Sequence, residues 1–263
     1  MDMEEDSPNV LDSMPEDGDV DPTEHWARSG TRIKVSHVPP GAINLNVDGR
    51  QVAGALQGFG QLWQKTYKVR LSGVGLTPAE IMQAWKENFP KFQPPANRFY
   101  PPLDGIKPGE VVFIEGKVPA MRGTPTILPV ASGVLVLYVD DESFTIMTPE
   151  GFPEAGWNTF SVYEEDGAPV AQVQSMARAA DPLYEIYFKF LGSSEWQEKS
   201  WVHVLTSLAA HFGIKGQVTI TKTLIDPRIQ WAYFKNIVKN AGIWTVFYKL
   251  AAPVRWITRK GSR

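Results

Sequence analysis

The chain has 263 residues, a formal net charge of −3 and no cysteine, which excludes disulfides, thiolate metal sites and cysteine nucleophiles. Its 43% hydrophobic and 11% aromatic content is enough for a sizeable core. No apolar run is long enough for a membrane-spanning helix. No basic region followed by an apolar stretch opens the chain, so we expect no signal peptide and a cytoplasmic location.

The charge is distributed unevenly along the chain. Residues 1–27 hold ten Asp and Glu and no Lys or Arg, whereas residues 222–263 hold nine Lys and Arg against Asp226. We predict an acidic disordered tail over residues 1–28, because such a segment cannot bury enough apolar surface to order itself. Residues 29–62 are predicted to be an N-terminal extension, with short strands at 31–35 and 43–47 and a hairpin turn at Asp48-Gly49.

The middle of the chain starts with a strand and a capped helix. Residues 65–71 alternate between apolar and charged side chains, which predicts a half-buried strand. Thr77 and Glu80 form a capping-box pattern around Pro78, which suits the first helical position. Ile81 and Phe89 then share one face with Trp85, so this helix should bury that face.

A series of short strands separated by turn residues follows and predicts an antiparallel meander. The strand patterns cover residues 111–115, 134–139, 143–148, 158–163 and 170–178. A long helix is predicted from Asp181-Pro182 to Gly213, with a break at Gly192, then a strand at 218–223 and a helix over residues 226–240. This order predicts an α+β fold, in which residues 63–222 form a curved antiparallel sheet around a long helix with a cavity between them.

The region from Trp63 to Gly213 resembles the START-like, polyketide-cyclase-like superfamily, also called SRPBCC, and in particular a bacterial branch of it. The likeness is carried by the motif Glu-Gly-Phe-Pro-Glu-Ala-Gly at residues 150–156, the strand around Phe160, the motif Ala-Arg-Ala-Ala-Asp at residues 177–181, and Trp201. The resemblance implies a helix-grip fold that binds sterols, phospholipids, polyketides or quinones. Some members are enzymes, so the fold does not decide the function.

Eight residues are candidates for ligand contact in the expected cavity. Glu154 and Arg178 stand at the ends of predicted strands, where they could form a charge pair that orients a polar ligand group, or a rim salt bridge of little energy. Gln172 and Gln174 share a strand face that is turned either to the pocket or to solvent. The aromatic candidates, which could equally be core residues, are Trp85, Trp157, Phe160 and Trp201.

The sequence shows no motif for a catalytic or metal site. His203 and His211 are eight residues apart, which is too far for the i, i+4 arrangement of a helical metal site. We therefore expect no metal, no cofactor and no catalytic residues. An enzyme of the cyclase or hydrolase type, using Arg178 with Glu154 or a histidine, is the alternative.

Residues 223–263 form a basic, aromatic C-terminal segment with three interpretations. It could pack on its own domain with a solvated end, contact an anionic membrane, or bind single-stranded nucleic acid, which no fold motif supports. The residues expected at a membrane surface are Trp244, Phe247, Lys249, Arg255, Trp256, Arg259 and Lys260. The segment could also pack on a partner chain, and the sequence leaves the oligomeric state open.

The function expected from the sequence is non-catalytic binding or carriage of a hydrophobic small molecule, such as a lipid, a quinone or a polyketide-like compound. The ligand would lie between the sheet and the long helix, where burial of apolar surface drives binding. The basic aromatic segment would hold the protein at a membrane surface while the ligand exchanges.

Overall fold

The computed structural model describes residues 32–119, 127–190 and 193–252. The predicted acidic tail, residues 1–28, lies outside these ranges. Antiparallel strands form one curved sheet within them. The strands are β1 (Leu62–Arg70), β2 (Asn97–Tyr100), β3 (Val111–Pro119), β4 (Ile127–Val139), β5 (Ser143–Met147), β6 (Glu154–Glu165), β7 (Ala168–Ala179) and β8 (Val218–Asp226). Their order across the sheet is β2-β3-β4-β5-β6-β7-β1-β8.

Helices precede and follow the meander. The α-helices are α1 (Pro78–Asn88), α2 (Pro182–Phe190), α3 (Ser193–His211) and α4 (Ala241–Leu250), and 3₁₀ helices cover Phe89–Phe92 and Trp231–Lys239. The long helix that was predicted from Asp181 to Gly213 is thus described as α2 and α3. The expected break at Gly192 lies outside the described residues.

The helix-grip architecture is confirmed. β1 pairs with β7, from Trp63 opposite Ala177 to Arg70 opposite Val170, so the strand that precedes α1 lies beside the last strand of the meander. The concave face of the sheet then packs on α1 and α3. The core contains Trp85 from α1, Leu205 from α3 and Phe160 from β6, all with 0% exposure.

The start of α1 follows its sequence pattern. Thr77 Oγ1 accepts a hydrogen bond from the Glu80 backbone N–H, and the Glu80 carboxylate accepts one from the Thr77 backbone N–H at 2.8 Å. These bonds satisfy two of the donors that a helix start leaves unpaired. Ile81 and Trp85 are fully buried, as their spacing predicts.

The prediction for the N-terminal extension is partly wrong. Residues 31–35 and 43–47 do not form paired strands within the described residues, and the extension is held by isolated bridges between Arg32 and Gln51 and between Val52 and Pro149. The turn at Asp48-Gly49 is present, with Gly49 at a φ of 74°. Ile33 and Val47 instead pack on the convex face of the sheet, so tertiary burial determines the conformation here.

The described part of the C-terminal region, residues 223–252, contacts the sheet through β8 and α4. The strand that was predicted at 218–223 is β8, which pairs with β1 and continues to Asp226. The helix predicted over 226–240 is wrong in type and extent, because a 3₁₀ helix begins only at Trp231. Thr245 of α4 is fully buried, and its hydroxyl accepts a hydrogen bond from the Ala131 N–H of β4 at 3.0 Å.

Candidate functional site

An inner cavity of about 140 Å³ lies between the concave face of the sheet and helices α2 and α3. Its wall is mainly apolar, with residues from strands β2 to β6, both helices and the loop before β6. The aromatic part of the wall consists of Phe99, Phe152, Tyr184, Tyr187, Phe188 and Trp201. A concave apolar space with a few polar groups is the usual form of a small-molecule site.

Three polar atoms in this cavity are buried without a hydrogen-bond partner. They are Oδ1 of Asn97, Oδ1 of Asn158 and Nε1 of Trp201, and all three residues line the inner cavity. Buried polar atoms are nearly always paired, because leaving one unpaired costs about 1–3 kcal/mol. The residues that carry these two acceptors and one donor all belong to the wall of the inner cavity.

A second, more polar space of about 240 Å³ adjoins the inner cavity, and we call it the outer chamber. It is lined by residues of β1, β7, α2 and α3. Its charged side chains are largely paired with each other. The ion pairs join Lys222 to Glu198 at 2.7 Å, Lys65 to Glu198 at 3.7 Å and Lys189 to Glu185 at 2.7 Å.

Glu154 and Gln197 stand between the two spaces, since both residues line the inner cavity and the outer chamber. Gln197 Nε2 donates a hydrogen bond to Glu154 Oε2, and Lys65 Nζ donates one to Gln197 Oε1 at 3.1 Å. Burial raises the pKa of Glu154, and Lys65 and the Gln197 bond oppose that rise. The boundary between the two spaces is therefore formed by the hydrogen-bonded side chains of Glu154 and Gln197. The pKa of Glu154 depends on the groups that surround it.

Arg178 borders the outer chamber, but its side chain has no solvent exposure and shares the convex face of β7 with Gln172 and Gln174. Its Nη2 donates to Asp226 Oδ2 at 3.3 Å, whereas Nε and Nη1 are buried without a hydrogen-bond partner. Asp226 also accepts from Nε of Arg228 at 2.8 Å. Arg228 and then Arg178 hold the pKa of Asp226 well below its usual range.

The expected charge pair between Glu154 and Arg178 is replaced by two separate contacts. Glu154 binds Gln197, and the guanidinium of Arg178 binds Asp226. The reason is that β8 brings Asp226 beside Arg178. The sequence pattern did not show that these two residues are adjacent. Glu154 lines both the outer chamber and the inner cavity, whereas the Arg178 side chain lies on the convex face of the sheet.

The other predicted ligand residues lie in different parts of the fold. Trp201 lines the inner cavity, as expected. Trp85 and Phe160 are fully buried core residues in edge-to-face contact, with ring centroids 5.6 Å apart, so they are corrected from ligand contacts to core. The aromatic cluster around them fills the space between α1 and the sheet.

Trp157, Gln172 and Gln174 are corrected as well. Strand alternation turns them to the convex face, away from Phe160 and Val173, which lie in the core. Gln174 Nε2 donates to Thr66 Oγ1 at 3.5 Å, a contact across the convex face of neighbouring strands. These three residues line neither the inner cavity nor the outer chamber.

Several site residues were missed from the sequence. Asn158 could have been found, because it precedes Phe160 by two positions and so shares its face of the strand. Asn97 lies in a short strand that carries no alternating pattern. Gln197 and Phe188 belong to helices whose rotation about their axes depends on packing.

The glycines at 54, 58 and 60, which look like simple turn residues, have a packing role. A Cβ on Gly58 would lie 2.6 Å from Arg178 Cγ, and a Cβ on Gly60 would lie 2.8 Å from the Ala179 Cβ. The segment before β1 therefore runs directly against the end of β7, where it closes over the Arg178 side chain.

The predicted membrane-contact residues lie partly within the described chain. Trp244 and Phe247 on α4 are 47% and 60% exposed, and Lys249 is exposed beside them. Arg255, Trp256, Arg259 and Lys260 lie outside the described residues. No helix in the described ranges is long and apolar enough to span a membrane. The same ranges hold no group of three side chains suited to a metal ion.

No protein-family model and no curated protein sequence matches the chain. Among solved structures, protein Ms6760 from Mycobacterium smegmatis is 15% identical with a TM-score of 0.38, covering 56% of this chain and 89% of its own. The di-domain ARO/CYC StfQ from the steffimycin biosynthetic pathway is 9% identical with a TM-score of 0.41, covering 58% and 50%. The major latex-like protein 151 from Panax ginseng is 10% identical with a TM-score of 0.36, covering 59% and 99%.

These solved structures have SRPBCC-type folds. The sheet and helices of this chain have the helix-grip arrangement that the sequence predicted. At such low identities, the function has to come from this chain's own residues. The site supplies an apolar cavity with unpaired polar atoms and a charged chamber beside it.

Proposed function

We propose that the protein is a non-catalytic binder or carrier of a hydrophobic small molecule, which occupies the inner cavity. The observation that carries this proposal is the set of three unpartnered polar atoms on Asn97, Asn158 and Trp201, all in one apolar cavity. A ligand that buries apolar surface gains about 25 cal/mol per Å². Hydroxyl and carbonyl groups on that ligand would pair with the two acceptors and the donor.

The hydrogen-bond partners of Glu154 and Arg178 favour non-catalytic binding over catalysis by a cyclase or hydrolase. General acid–base catalysis needs a titratable pair within hydrogen-bond reach of the substrate. Glu154 is bonded to an amide, Gln197, and Arg178 to a carboxylate that also binds Arg228. His211 makes an edge-to-face contact with Phe92, with ring centroids 5.5 Å apart, and lines neither cavity.

Native mass spectrometry of the purified full chain, followed by solvent extraction, tests this proposal. We expect a co-purifying apolar compound that carries hydroxyl or carbonyl groups. If the protein is free of ligand, titration with a panel of lipids, quinones and aromatic polyketide-like compounds follows. Failure of every compound to bind would refute the proposal, whereas chemical conversion of a bound compound would favour the enzyme.

We also propose that the C-terminal segment holds the protein at an anionic membrane surface. Trp244, Phe247 and Leu250 recur every three residues on α4 and are 47–70% exposed. Residues 227–263 contain no Asp or Glu, and Lys249 lies next to this strip. Exposed rings beside cations are typical of segments that bind at the headgroup level.

Vesicle sedimentation tests this second proposal. The double variant Trp244→Ser, Phe247→Ser should lose most of its binding to vesicles rich in phosphatidylserine, and Leu103→Ser, at another exposed leucine, should not. Equal binding by all three proteins would contradict membrane contact. A change of oligomeric state in the double variant, without vesicle binding by wild type, would instead favour a partner chain.

A further inference from the structure

We propose that β8 is a self-association edge, through which two copies of the chain pair antiparallel about a two-fold axis at Thr221. The sheets of the two copies would then continue into one another across the dimer. This contact involves neither the inner cavity nor the exposed residues of α4, so it is independent of the proposed function.

β8 is the last strand at one edge of the sheet, and no strand in the described ranges pairs with its outer side. All its residues from Thr219 to Ile225 are exposed. A free strand edge offers a row of unpaired N–H and C=O groups to another strand. The strand at the opposite edge, β2, has four residues, whereas β8 has nine. β8 is therefore the edge that can support an intermolecular ladder.

The strand register shows which peptide groups of β8 face outward. The N–H of Leu71, directly after β1, donates to the Pro169 carbonyl oxygen of β7 at 2.8 Å, so the odd-numbered residues of β1 bond to β7. The even-numbered residues of β1 therefore bond to β8, and the pair Lys68–Thr219 shows that they meet its odd-numbered residues. The residues whose N–H and C=O groups face outward are thus Val218, Ile220, Lys222 and Leu224.

β8 lacks the features that usually block such an edge, which are prolines, free lysines and bulges. It contains no proline, and its register shift against β1 lies beyond Leu224. Lys222 is the one charged residue between Val218 and Leu224, and it is held in an ion pair with Glu198 at 2.7 Å. The side chains of Ile220 and Leu224 remain 41% and 40% exposed.

Symmetry and charge select one register for the pairing. An axis at Thr221, the midpoint of Val218–Leu224, pairs every outward-facing residue of this segment. Ile220 then lies opposite Lys222 of the second copy, and Thr221 lies beside its own equivalent, a pair that favours antiparallel strands. An axis at Lys222 would place two lysines directly opposite each other, and an axis at Ile220 would leave Leu224 unpaired.

A contact through one pair of edge strands predicts a weak dimer, because it buries less than the roughly 1,200–2,000 Å² of a stable interface. Sedimentation velocity of the full chain should show a monomer at about 1 μM and a growing dimer fraction toward about 200 μM. A sedimentation coefficient that stays at the monomer value over this range would overturn the proposal.

The absence of cysteine from the chain allows a direct test of the register. Thr221→Cys places two thiols opposite each other at a non-hydrogen-bonded position, where the Cα atoms are about 4.5 Å apart and a disulfide fits. Thr219→Cys, on the same face of β8, is the matched control, because its two copies would lie about 13 Å apart. We expect mild oxidation to cross-link Thr221→Cys and not Thr219→Cys. No cross-link in Thr221→Cys, or equal cross-linking of the two variants, would refute the register and the proposal.

Two charge variants at Ile220 test the same pairing without a covalent bond. Ile220→Lys faces Lys222 of the second copy and should weaken the dimer, whereas Ile220→Glu should strengthen it, each by about 3-fold or more. Leu103→Lys, at an exposed position away from β8, should dimerise as wild type does. Changes in the same direction for both Ile220 variants would contradict the pairing.

The double variant Trp244→Ser, Phe247→Ser separates this edge from association through α4. We expect it to dimerise as wild type does, because both substituted residues lie outside β8. Loss of the dimer in this variant, with Ile220→Lys unaffected, would show that the copies meet through α4 and would overturn the proposal. Ligand-free protein should dimerise too, so a failure of the proposed function leaves this inference intact.

Discussion

Glu154 is a carboxyl group whose ionisation is opposed by its surroundings. Burial raises the pKa of Glu154, while the stabilising contacts of the ionised form come from Lys65 and Gln197. The residue stands at the boundary between the inner cavity and the outer chamber. Its protonation state is thus coupled to folding.

The raised pKa of Glu154 has a defined consequence for stability. The folded form holds this proton more tightly than the unfolded chain, so the resulting stability is fully present below the unfolded pKa and is lost as pH rises through the folded one. Glu154→Gln stays neutral, so it should gain stability relative to wild type as pH rises above 4.5, the ordinary glutamate value.

Urea unfolding over a series of pH values measures this difference. Glu165→Gln, at an exposed position on the same strand, is the control. A difference between Glu154→Gln and wild type that does not change with pH would contradict the effect of burial.

Gly58 is a position where the addition of a single methyl group should destabilise the fold. A Cβ there would lie 2.6 Å from Arg178 Cγ and 2.9 Å from both the Ala155 Cβ and the Ala179 carbonyl oxygen. We expect Gly58→Ala to lower the free energy of unfolding by about 1–3 kcal/mol, the usual cost of overpacking. Gly75→Ala, with open space around the new methyl, should be near neutral, and equal effects in the two variants would refute this account.

At the scale of elements, α4 illustrates how one buried polar side chain positions a helix. The Thr245 hydroxyl accepts from the Ala131 N–H at 3.0 Å and donates to the Ala241 carbonyl oxygen at 2.6 Å. The contact joins α4 to β4 on the convex face, so α4 turns Trp244 and Phe247 outward. The exposed strip on α4 therefore follows from a contact on its opposite side.

Thr245→Val should loosen this helix. Valine has a similar shape but leaves the Ala131 N–H without its acceptor, which costs about 1–3 kcal/mol. Hydrogen exchange should become faster over residues 241–250 in particular, with Thr219→Val on the exposed strand β8 as control. Unchanged exchange in α4 would show that the helix is held by other contacts.

At the scale of the whole molecule, the inner cavity is a space that strands and helices enclose together. Gly116 of β3 lines it, and a Cβ there would lie 3.5 Å from Asn97 Oδ1, an ordinary contact. A larger side chain at this position would therefore point into the cavity and occupy the volume that the ligand needs.

Gly116→Leu should weaken ligand binding by about 10-fold or more while the fold is kept, because the cavity accepts the added side chain. Gly75→Leu adds the same side chain in open space and should bind as wild type does. Circular dichroism checks the fold, and titration with the ligand that co-purifies measures affinity. Normal binding by Gly116→Leu would place the ligand outside the inner cavity.

The sequence by itself determined the type and order of most elements in the helix-grip region, whereas the short strand β2 was missed. Strand alternation, the Thr77 capping box and the spacing of Trp201 with Leu205 are local patterns, and local patterns are sufficient for β1, α1 and α3. The motif at residues 150–156 indicated the fold family. The predicted helix over 226–240 failed because an amphipathic spacing does not distinguish an α-helix from a 3₁₀ helix that tertiary contacts hold in place.

Only the tertiary structure decided which side chains meet. Glu154, Gln197 and Lys65 come from separate elements, and so do Arg178 and Asp226, whose pairing depends on β8 lying against β1. The face to which Gln172 and Trp157 turn depends on which side of the sheet receives the helices. Long-range packing sets these relations, so residues distant in sequence form the cavity, the chamber and the boundary between them.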